Sequence, residues 1–273
     1  MRFNKAPSRV RSLLWRLGRK IYALARGDGT NDPSTNGEYW FLQHVLRVAP
    51  LGVILDVGAN RGDWTAQALK FANAHIHVHA FEPSQATRSM LSGRFRENAA
   101  VTVHPYAVSD SVGQATFFCG QDGAGTNSLS AISGKHGEVV PVTTVDEFIR
   151  CAKLDQIDMV KIDTEGFDFL VLKGARSALT AGLIEVIQFE YNWRWLLNHA
   201  SLRDVFDFVS GKPYRIGKLV GRSIELYREW HFELDRYFEN NYVLIRRDSD
   251  LLRLGVEVGF DKSDSVITFS SPP

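Results

Sequence analysis

The chain has few cysteines and almost no net charge. Only two cysteines occur in 273 residues, Cys119 and Cys151, and no CxxC spacing is present. This pattern excludes a disulfide framework and a cysteine zinc cluster, and it predicts a reducing, cytoplasmic location. The formal net charge is +1, so no overall positive field indicates a nucleic-acid partner.

Long hydrophobic runs are also lacking. No window approaches the roughly 18 apolar residues of a membrane-spanning helix, and arginines interrupt the apolar N-terminal segment, which excludes a secretory signal. The eight Lys and Arg residues before Gly27 have no acidic neighbour, and apolar residues recur among them at helical spacing. We expect a basic amphipathic extension over residues 1–40 that packs on the protein's own surface or contacts a membrane or an acidic partner. Its apolar positions are Val10, Leu13, Leu14, Leu17, Ile21 and Leu24.

From residue 53 onward, short β-branched segments alternate with helical patterns, which predicts βαβ units and a parallel sheet. The expected strands are 53–57, 76–81, 101–106, 159–162, 184–189 and 242–245, the last of them closing a sheet edge. The expected helices are 63–73, 85–98, 144–153 and 167–180. Segments 114–119 and 138–142 predict an inserted β-hairpin, with a polar loop at 123–130 that closes over the ligand site. One Rossmann-like domain is therefore expected over residues 41–260, with a mobile polar tail over 261–273.

A glycine turn follows the first predicted strand. Asp56 and Gly58 end this strand, and Asn60 and Gly62 lead into the next helix. Glycine and asparagine tolerate left-handed backbone conformations, so the chain turns sharply here and its backbone approaches a ligand closely. Free amides at the start of the helix bind a carboxylate. The turn therefore predicts a site for a nucleotide-type ligand.

Glu82 strengthens this interpretation. It ends the second predicted strand, 26 positions after Asp56, where a carboxylate accepts hydrogen bonds from ribose hydroxyls. The GxGxxG pattern of NAD enzymes is absent, because Gly58, Asn60, Gly62 and Trp64 replace it, and we expect the bulky Trp64 to obstruct a pyrophosphate. S-adenosylmethionine has no phosphate, so a methyltransferase is favoured. An NAD-dependent oxidoreductase and a non-catalytic cofactor-binding module remain the alternatives.

Several blocks of the sequence resemble those of the FkbM family of methyltransferases. The blocks are 56–62, 81–83, 107–110, 140–146 and 161–166, within a resemblance that extends from about Val53 to Glu190. The resemblance implies an α/β class I methyltransferase fold, in which helices flank a mostly parallel seven-stranded sheet whose last strand is antiparallel. It implies S-adenosylmethionine as cofactor and O-methylation of a hydroxyl on a sugar, glycan or polyketide-type metabolite. The cofactor contacts that it implies are Asp56, Gly58, Asn60, Gly62, Glu82, Tyr106 and Ala107.

Three carboxylates are candidates for the chemistry. A hydroxyl acceptor must lose its proton during methyl transfer, so a base is needed beside it. Asp163 and Glu165 follow the fourth parallel strand and Glu190 follows the fifth, at the sheet edge where open α/β sheets bind ligands. Converging carboxylates repel one another unless a proton or a cation is present. Asp163 and Glu190 are therefore also candidate ligands of a divalent cation such as Mg²⁺.

Overall fold

The computed structural model describes residues 9–28, 31–48, 52–72, 75–119 and 136–269. The α-helices in these ranges are α1 (Arg9–Ala25), α2 (Glu38–Val48), α3 (Asp63–Phe71), α4 (Gln85–Arg94), α5 (Val145–Ala152), α6 (Asp168–Lys173), α7 (Arg176–Ala181) and α8 (Leu202–Val209). The strands are β1 (Val53–Val57), β2 (His77–Phe81), β3 (Val101–His104), β4 (Ala107–Val108), β5 (Gly113–Cys119), β6 (His136–Thr143), β7 (Ile157–Ile162), β8 (Ile184–Tyr191), β9 (Tyr214–Val220), β10 (Ser223–Tyr227), β11 (Asn240–Arg246), β12 (Gly255–Phe260) and β13 (Val266–Thr268).

Ten strands form one sheet in the order β13-β12-β10-β9-β11-β8-β7-β1-β2-β3. All neighbours between β3 and β8 are parallel, and β11 is antiparallel to both β8 and β9. The seven strands from β3 to β9 form the mostly parallel α/β sheet that the sequence predicts, so the fold class is confirmed. The sheet is three strands wider than expected, because β10, β12 and β13 continue it beyond β9.

Two expectations about the sheet edge are wrong. The sequence predicts that residues 242–245 close an edge, but β11 lies inside the sheet between β8 and β9. Its central residues Val243 and Leu244 are fully buried, which fits a strand that is covered on both faces. The segment expected as a tail from residue 261 contributes β13, which pairs antiparallel with β12.

Side-chain alternation along the central strands builds a core on each face of the sheet. Leu55 and Val57 of β1 pack with α5, α6 and α7, whereas Ile54 packs with α2 and α3 on the other face. Phe41 and Leu42 of α2 are fully buried in this second core. The extension predicted over residues 1–40 therefore ends within α2, which belongs to the body of the protein.

The predicted inserted hairpin is present. Strands β5 and β6 pair antiparallel, and the short β4 adds to β6 in parallel to complete a second, three-stranded sheet. The loop predicted at residues 123–130 lies outside the described residues. The hairpin follows β3 directly, so it stands beside the carboxyl ends of the parallel strands.

The helix predicted over residues 167–180 is divided into α6 and α7 at Gly174. A β-carbon added at Gly174 would lie 2.0 Å from the carbonyl oxygen of Ser109, which follows β4. The backbone of the helix break thus packs directly against the backbone of the inserted sheet. Only glycine permits this approach, because any side chain would push the two segments apart.

We expect Gly174→Ala to destabilise the protein by at least about 2 kcal/mol, because overpacking here displaces backbone. Gly93→Ala is the matched control, since Gly93 lies in α4 with open space around its position. The control should be neutral or stabilising by up to about 1 kcal/mol, through helix propensity. Urea unfolding measures both changes, and equal stabilities for the two variants would contradict the close approach.

Candidate active site

A first cleft of about 670 Å³ opens at the carboxyl ends of β1, β2 and β7. Its walls are largely apolar, and its polar groups include Asn60, Glu82 and Asp163. Small-molecule and cofactor sites likewise combine apolar walls with a few placed polar groups. The residues on its apolar side are Val57, Phe81, Pro83, Tyr106, Ala107, Val108, Phe117 and Phe167.

The glycine turn after β1 forms one wall of the first cleft. Gly58 has φ of 82°, and a β-carbon there would lie 2.0 Å from the carbonyl oxygen of Asp163. Asn60 also adopts a left-handed conformation, with φ of 49°. Gly58 therefore allows the turn after β1 and the loop after β7 to touch, and Asn60 continues the turn into the cleft wall.

Glu82 is held in place beside the glycine turn. Its two carboxylate oxygens accept hydrogen bonds from the backbone amides of Asn60 at 3.1 Å and Ser84 at 2.9 Å. Burial raises the pKa of Glu82 to about 7, although both amides oppose this shift. Each oxygen keeps a lone pair for a further donor. The carboxylate is thus oriented by the backbone and still able to accept hydrogen bonds from a ligand in the cleft.

A second cleft of about 950 Å³ adjoins the first. Gly58, Asn60, Asp163 and Glu165 line both clefts and form the junction between them. The second cleft is mainly polar. The residues that line it alone include Asn31, Asn36, Glu38, Tyr39, Arg61, Trp64, Lys161, Glu190, Glu239 and Asn241.

Lys161 is the buried cation beneath the junction. Its ammonium group donates a hydrogen bond to Asp163 at 3.0 Å and lies 3.9 Å from Asp56. Burial disfavours this charge, but the carboxylates of Asp163, Asp56 and Glu38 outweigh it and raise the pKa of Lys161. The lysine therefore carries its proton and fixes the position of the Asp163 carboxylate at the junction.

Glu165 faces the junction from a strained backbone. It adopts φ of 56°, a left-handed conformation that is unusual for glutamate and is maintained only by its surroundings. Arg194 forms an ion pair with it at 2.9 Å. Burial and the nearby Asp163 carboxylate raise the pKa of Glu165 to about 8, against the opposing effect of Arg194. At neutral pH the carboxyl group therefore holds a proton for much of the time.

Glu190 lies farther into the second cleft. It accepts a hydrogen bond from the side-chain amide of Asn192 at 2.7 Å. Burial, followed by the charges of Asp163 and Asp168, raises its pKa well above the ordinary value. Burial also raises the pKa values of Glu38 and Glu165, which line the same cleft, so burial favours the neutral forms of three of its acids.

The structure brings most of the sequence-predicted residues together. The first cleft contains Gly58, Asn60, Glu82, Tyr106 and Ala107, the junction contains Asp163 and Glu165, and the second cleft contains Glu190.

Two predicted cofactor residues, Asp56 and Gly62, line neither cleft, and Trp64 does not lie where it was expected. Asp56 lines neither cleft, because its buried carboxylate accepts a hydrogen bond from Thr65 at 2.6 Å and faces Lys161. Gly62 begins α3 and packs on Phe95. Trp64, expected to obstruct a pyrophosphate, is buried against α2 and borders the second cleft rather than the first.

The predicted cation ligands find no support. Among the described residues, no group of three or more His, Cys, Asp or Glu side chains is arranged to hold a metal ion. The physical reason for expecting one was the repulsion between Asp163, Glu165 and Glu190. Lys161 and Arg194 supply positive charge beside the first two of these acids, and burial raises the pKa of Glu190 well above its ordinary value, which favours the neutral form and weakens the repulsion.

Sequence reasoning missed several residues of the second cleft. Glu38 and Tyr39 come from the start of α2, which was assigned to an extension, and Glu239 and Asn241 come from the irregular region after Tyr191. No local pattern marks these residues. Lys161 did carry a signal, because a lysine inside an otherwise apolar strand requires a buried partner.

The sheet order, the glycine turn after β1 and the acid after β2 together define a Rossmann-like methyltransferase domain. Residues 56–216 match the model of the methyltransferase FkbM domain. This match covers more than half of the chain, and the chain belongs to the FkbM methyltransferase family.

Individual similar proteins share 12% to 31% sequence identity with this chain. The hexuronic acid methyltransferase AglP of Haloferax volcanii is 31% identical over 129 residues, which are 46% of this chain and 51% of that protein. The chain thus matches about half the length of this curated relative. The FkbM methyltransferase of Methylobacillus flagellatus is 18% identical with a TM-score of 0.45, over 85% of this chain and 60% of that chain. An O-methyltransferase of Bacillus cereus in complex with SAH is 12% identical with a TM-score of 0.45, over 86% and 90%.

The buried acids predict how stability depends on pH. Burial raises the pKa of Glu38 to about 7 from an ordinary value of 4.5. The folded protein therefore holds this proton more tightly than the unfolded chain. The protonated carboxyl group contributes its full stabilisation below pH 4.5, and this contribution to the free energy of unfolding is lost as the pH rises through 7. We expect Glu38→Gln, which cannot ionise, to be stabilised relative to the parent by about 2 kcal/mol more at pH 8 than at pH 5.

Glu97→Gln is the control for this measurement, because Glu97 is exposed on the surface. Its effect on the free energy of unfolding should be the same at both pH values. A Glu38→Gln effect that is equally independent of pH would show that the Glu38 carboxyl group is solvated in the folded protein.

Proposed function

We propose that this protein transfers a methyl group from S-adenosylmethionine to a hydroxyl group of a sugar-type acceptor. The junction of the two clefts carries this proposal. An apolar-walled cleft with an oriented carboxylate meets a polar, carboxyl-lined cleft at Gly58, Asn60, Asp163 and Glu165. The apolar-walled cleft suits a nucleoside cofactor, and the polar cleft suits a hydroxyl-rich acceptor. Methyl transfer requires the two molecules to meet, which the junction of the clefts allows.

The residues of the first cleft fit the nucleoside part of the cofactor. Glu82 would accept hydrogen bonds from the ribose hydroxyls, and the apolar wall near Tyr106 and Ala107 would cover the adenine. Gly58 lets the turn after β1 lie against the loop after β7 at the wall of this cleft, and the buried side-chain oxygen of Asn60 has no hydrogen-bond partner in the described structure. The cofactor, when bound, supplies a methyl group that a sulfonium already activates.

Asp163 is the group that we assign to accept the proton of the acceptor hydroxyl. It lies at the junction, its side chain is 41% exposed, and Lys161 holds its carboxylate from below. Glu165 is a weaker candidate at neutral pH, because its raised pKa keeps it largely protonated. Since the methyl donor is already activated, orienting the acceptor and removing its proton are the remaining tasks of the protein.

The second cleft favours an acceptor that is rich in hydroxyl groups. The carboxyl groups of Glu190 and Glu239 accept hydrogen bonds, and the side-chain amide of Asn241 both donates and accepts them, which suits sugar hydroxyls. The hexuronic acid methyltransferase relative makes sugars the first acceptors to test. The acids that line this cleft would repel a carboxylate close to the reacting hydroxyl, so we expect neutral glycosides to be methylated faster than the matching uronates.

We expect Asp163→Asn to lower kcat for methyl transfer about a hundredfold or more, with the cofactor Kd changed less than about threefold, because the variant lacks the proton acceptor. Transfer of labelled methyl to a glycoside mixture measures the rate. Asp110→Asn is the matched control, since Asp110 forms a similar exposed ion pair with Lys173 at 3.1 Å outside both clefts. If Asp163→Asn turned over at the parent rate, Asp163 would not be the base.

A second prediction concerns proton release on cofactor binding. The pKa of Glu82 is about 7 in the free protein, and ribose hydroxyls bind its ionised form best. Binding of S-adenosylmethionine at pH 6.5 should therefore release most of a proton, and the affinity should rise between pH 6 and pH 8. Calorimetric titration in two buffers of different ionisation enthalpy measures this release. Glu82→Gln should bind about tenfold more weakly and release no proton, whereas release that persisted in this variant would assign the proton to another group.

The same titration distinguishes the alternative functions. Tight binding of NAD without binding of S-adenosylmethionine would indicate an oxidoreductase. Cofactor binding without methyl transfer to any of a broad set of glycosides would indicate a non-catalytic binding module. The proposed function predicts binding of S-adenosylmethionine and labelled product.

A further inference from the structure

Helix α1 has an apolar stripe that no part of the described structure covers. None of its 17 residues is buried. Along a helix that turns about 100° per residue, six apolar side chains fall within an arc of about 100°. These residues are Val10 (57% exposed), Leu13 (62%), Leu14 (52%), Leu17 (54%), Ile21 (58%) and Leu24 (82%).

The stripe points away from the body of the protein. The contacts that α1 makes with the body come from Arg19, which lies over the ring of Phe238, and from Tyr22, which donates a hydrogen bond to Glu233 at 2.6 Å. On the helical wheel both residues lie more than about 120° from the centre of the stripe. The helix is thus attached by one face and presents the opposite, apolar face to the surroundings.

The attachment is firm at the C-terminal end of α1. Asp28 follows the helix and accepts hydrogen bonds from Lys218 at 2.9 Å and from both terminal nitrogens of Arg236. Lys218 also donates to the carbonyl oxygen of Arg26 at 2.8 Å. The side chains of Asp28 and Lys218 are almost fully buried. This network fixes the direction in which the stripe faces.

Basic residues flank the stripe on both sides. Arg9, Arg16 and Lys20 lie along one flank and Arg11 lies along the other, and the helix contains no acidic residue. Two such helices packed stripe to stripe would bring these like charges together, which disfavours a second copy of the chain as the partner. An anionic lipid surface complements the helix, because its apolar layer can cover the stripe and its negatively charged headgroups can pair with the basic flanks.

We infer that α1 docks this protein onto an anionic membrane surface, with its apolar stripe in the interface between headgroups and acyl chains and its arginines and lysine at the headgroups. No helix in the described ranges is long and apolar enough to cross a membrane, so α1 lies on the surface. The inference does not depend on the proposed function, because none of the stripe or flanking residues lines either cleft.

Sedimentation of the full chain with vesicles tests the inference. We expect binding to vesicles of phosphatidylcholine with 30% phosphatidylglycerol to exceed binding to pure phosphatidylcholine at least tenfold, and to weaken strongly in 0.5 M NaCl. The double variant Leu13→Glu/Leu17→Glu should lose at least tenfold in binding. The matched control Val112→Glu/Val139→Glu changes two similarly exposed apolar residues, one directly before β5 and one in β6, and should bind like the parent.

Other outcomes would overturn the inference. Equal sedimentation of the parent with both vesicle types, or unchanged sedimentation of the Leu13→Glu/Leu17→Glu variant, would show that the stripe does not contact lipid. A concentration-dependent dimer in light scattering that only this variant abolishes, without vesicle binding, would assign the stripe to a second copy. The variant should keep the parent's melting temperature and its methyl transfer to a soluble acceptor, so that lost binding cannot be attributed to unfolding.

Discussion

The buried ammonium group of Lys161 is the interaction on which the site depends. It lies where β1 and β7 end side by side, and it must balance carboxylates that the fold brings to the same edge. Asp56 holds it from the interior and Asp163 from the junction of the clefts. Removing this charge would leave acids buried without compensation, which is far more costly than losing a surface ion pair. One lysine therefore links the stability of the central strands to the position of the proposed base.

The same charge balance explains how so many acids occupy one edge of the sheet. The ion pair with Arg194 partly offsets the burial of Glu165. Burial raises the pKa values of Glu38 and Glu190 and so favours their neutral forms. The result is a cleft wall that is acidic in composition but carries less negative charge at neutral pH than its residue count suggests. Such a wall can donate hydrogen bonds as well as accept them, which suits hydroxyl groups.

The parallel half of the fold could be predicted because its signals are local. Apolar strands, the turn at Gly58 and the acid at Glu82 each depend on a few consecutive residues, and the parallel order then brings them together. Strand β9 of the antiparallel half gave no such signal, because Arg215 and Lys218 interrupt its apolar alternation and depend on distant partners. Asp56 was expected at the cofactor because no local pattern shows which partners its side chain has. In the structure, Thr65 and Lys161 hold its carboxylate in the interior.

The attachment of α1 and the second cleft meet on one strand. Asn240, the first residue of β11, donates a hydrogen bond to Asp28 at 3.3 Å, and its neighbour Asn241 lines the second cleft. Successive residues of a strand point to opposite faces, so β11 carries the anchor of the helix on one side and the cleft on the other. A surface held by the apolar stripe of α1 would therefore have a fixed relation to the cleft assigned to the acceptor. Helix α1 is thus attached to the methyltransferase domain through β11, and packing on the protein's own surface was one of the expectations for this extension.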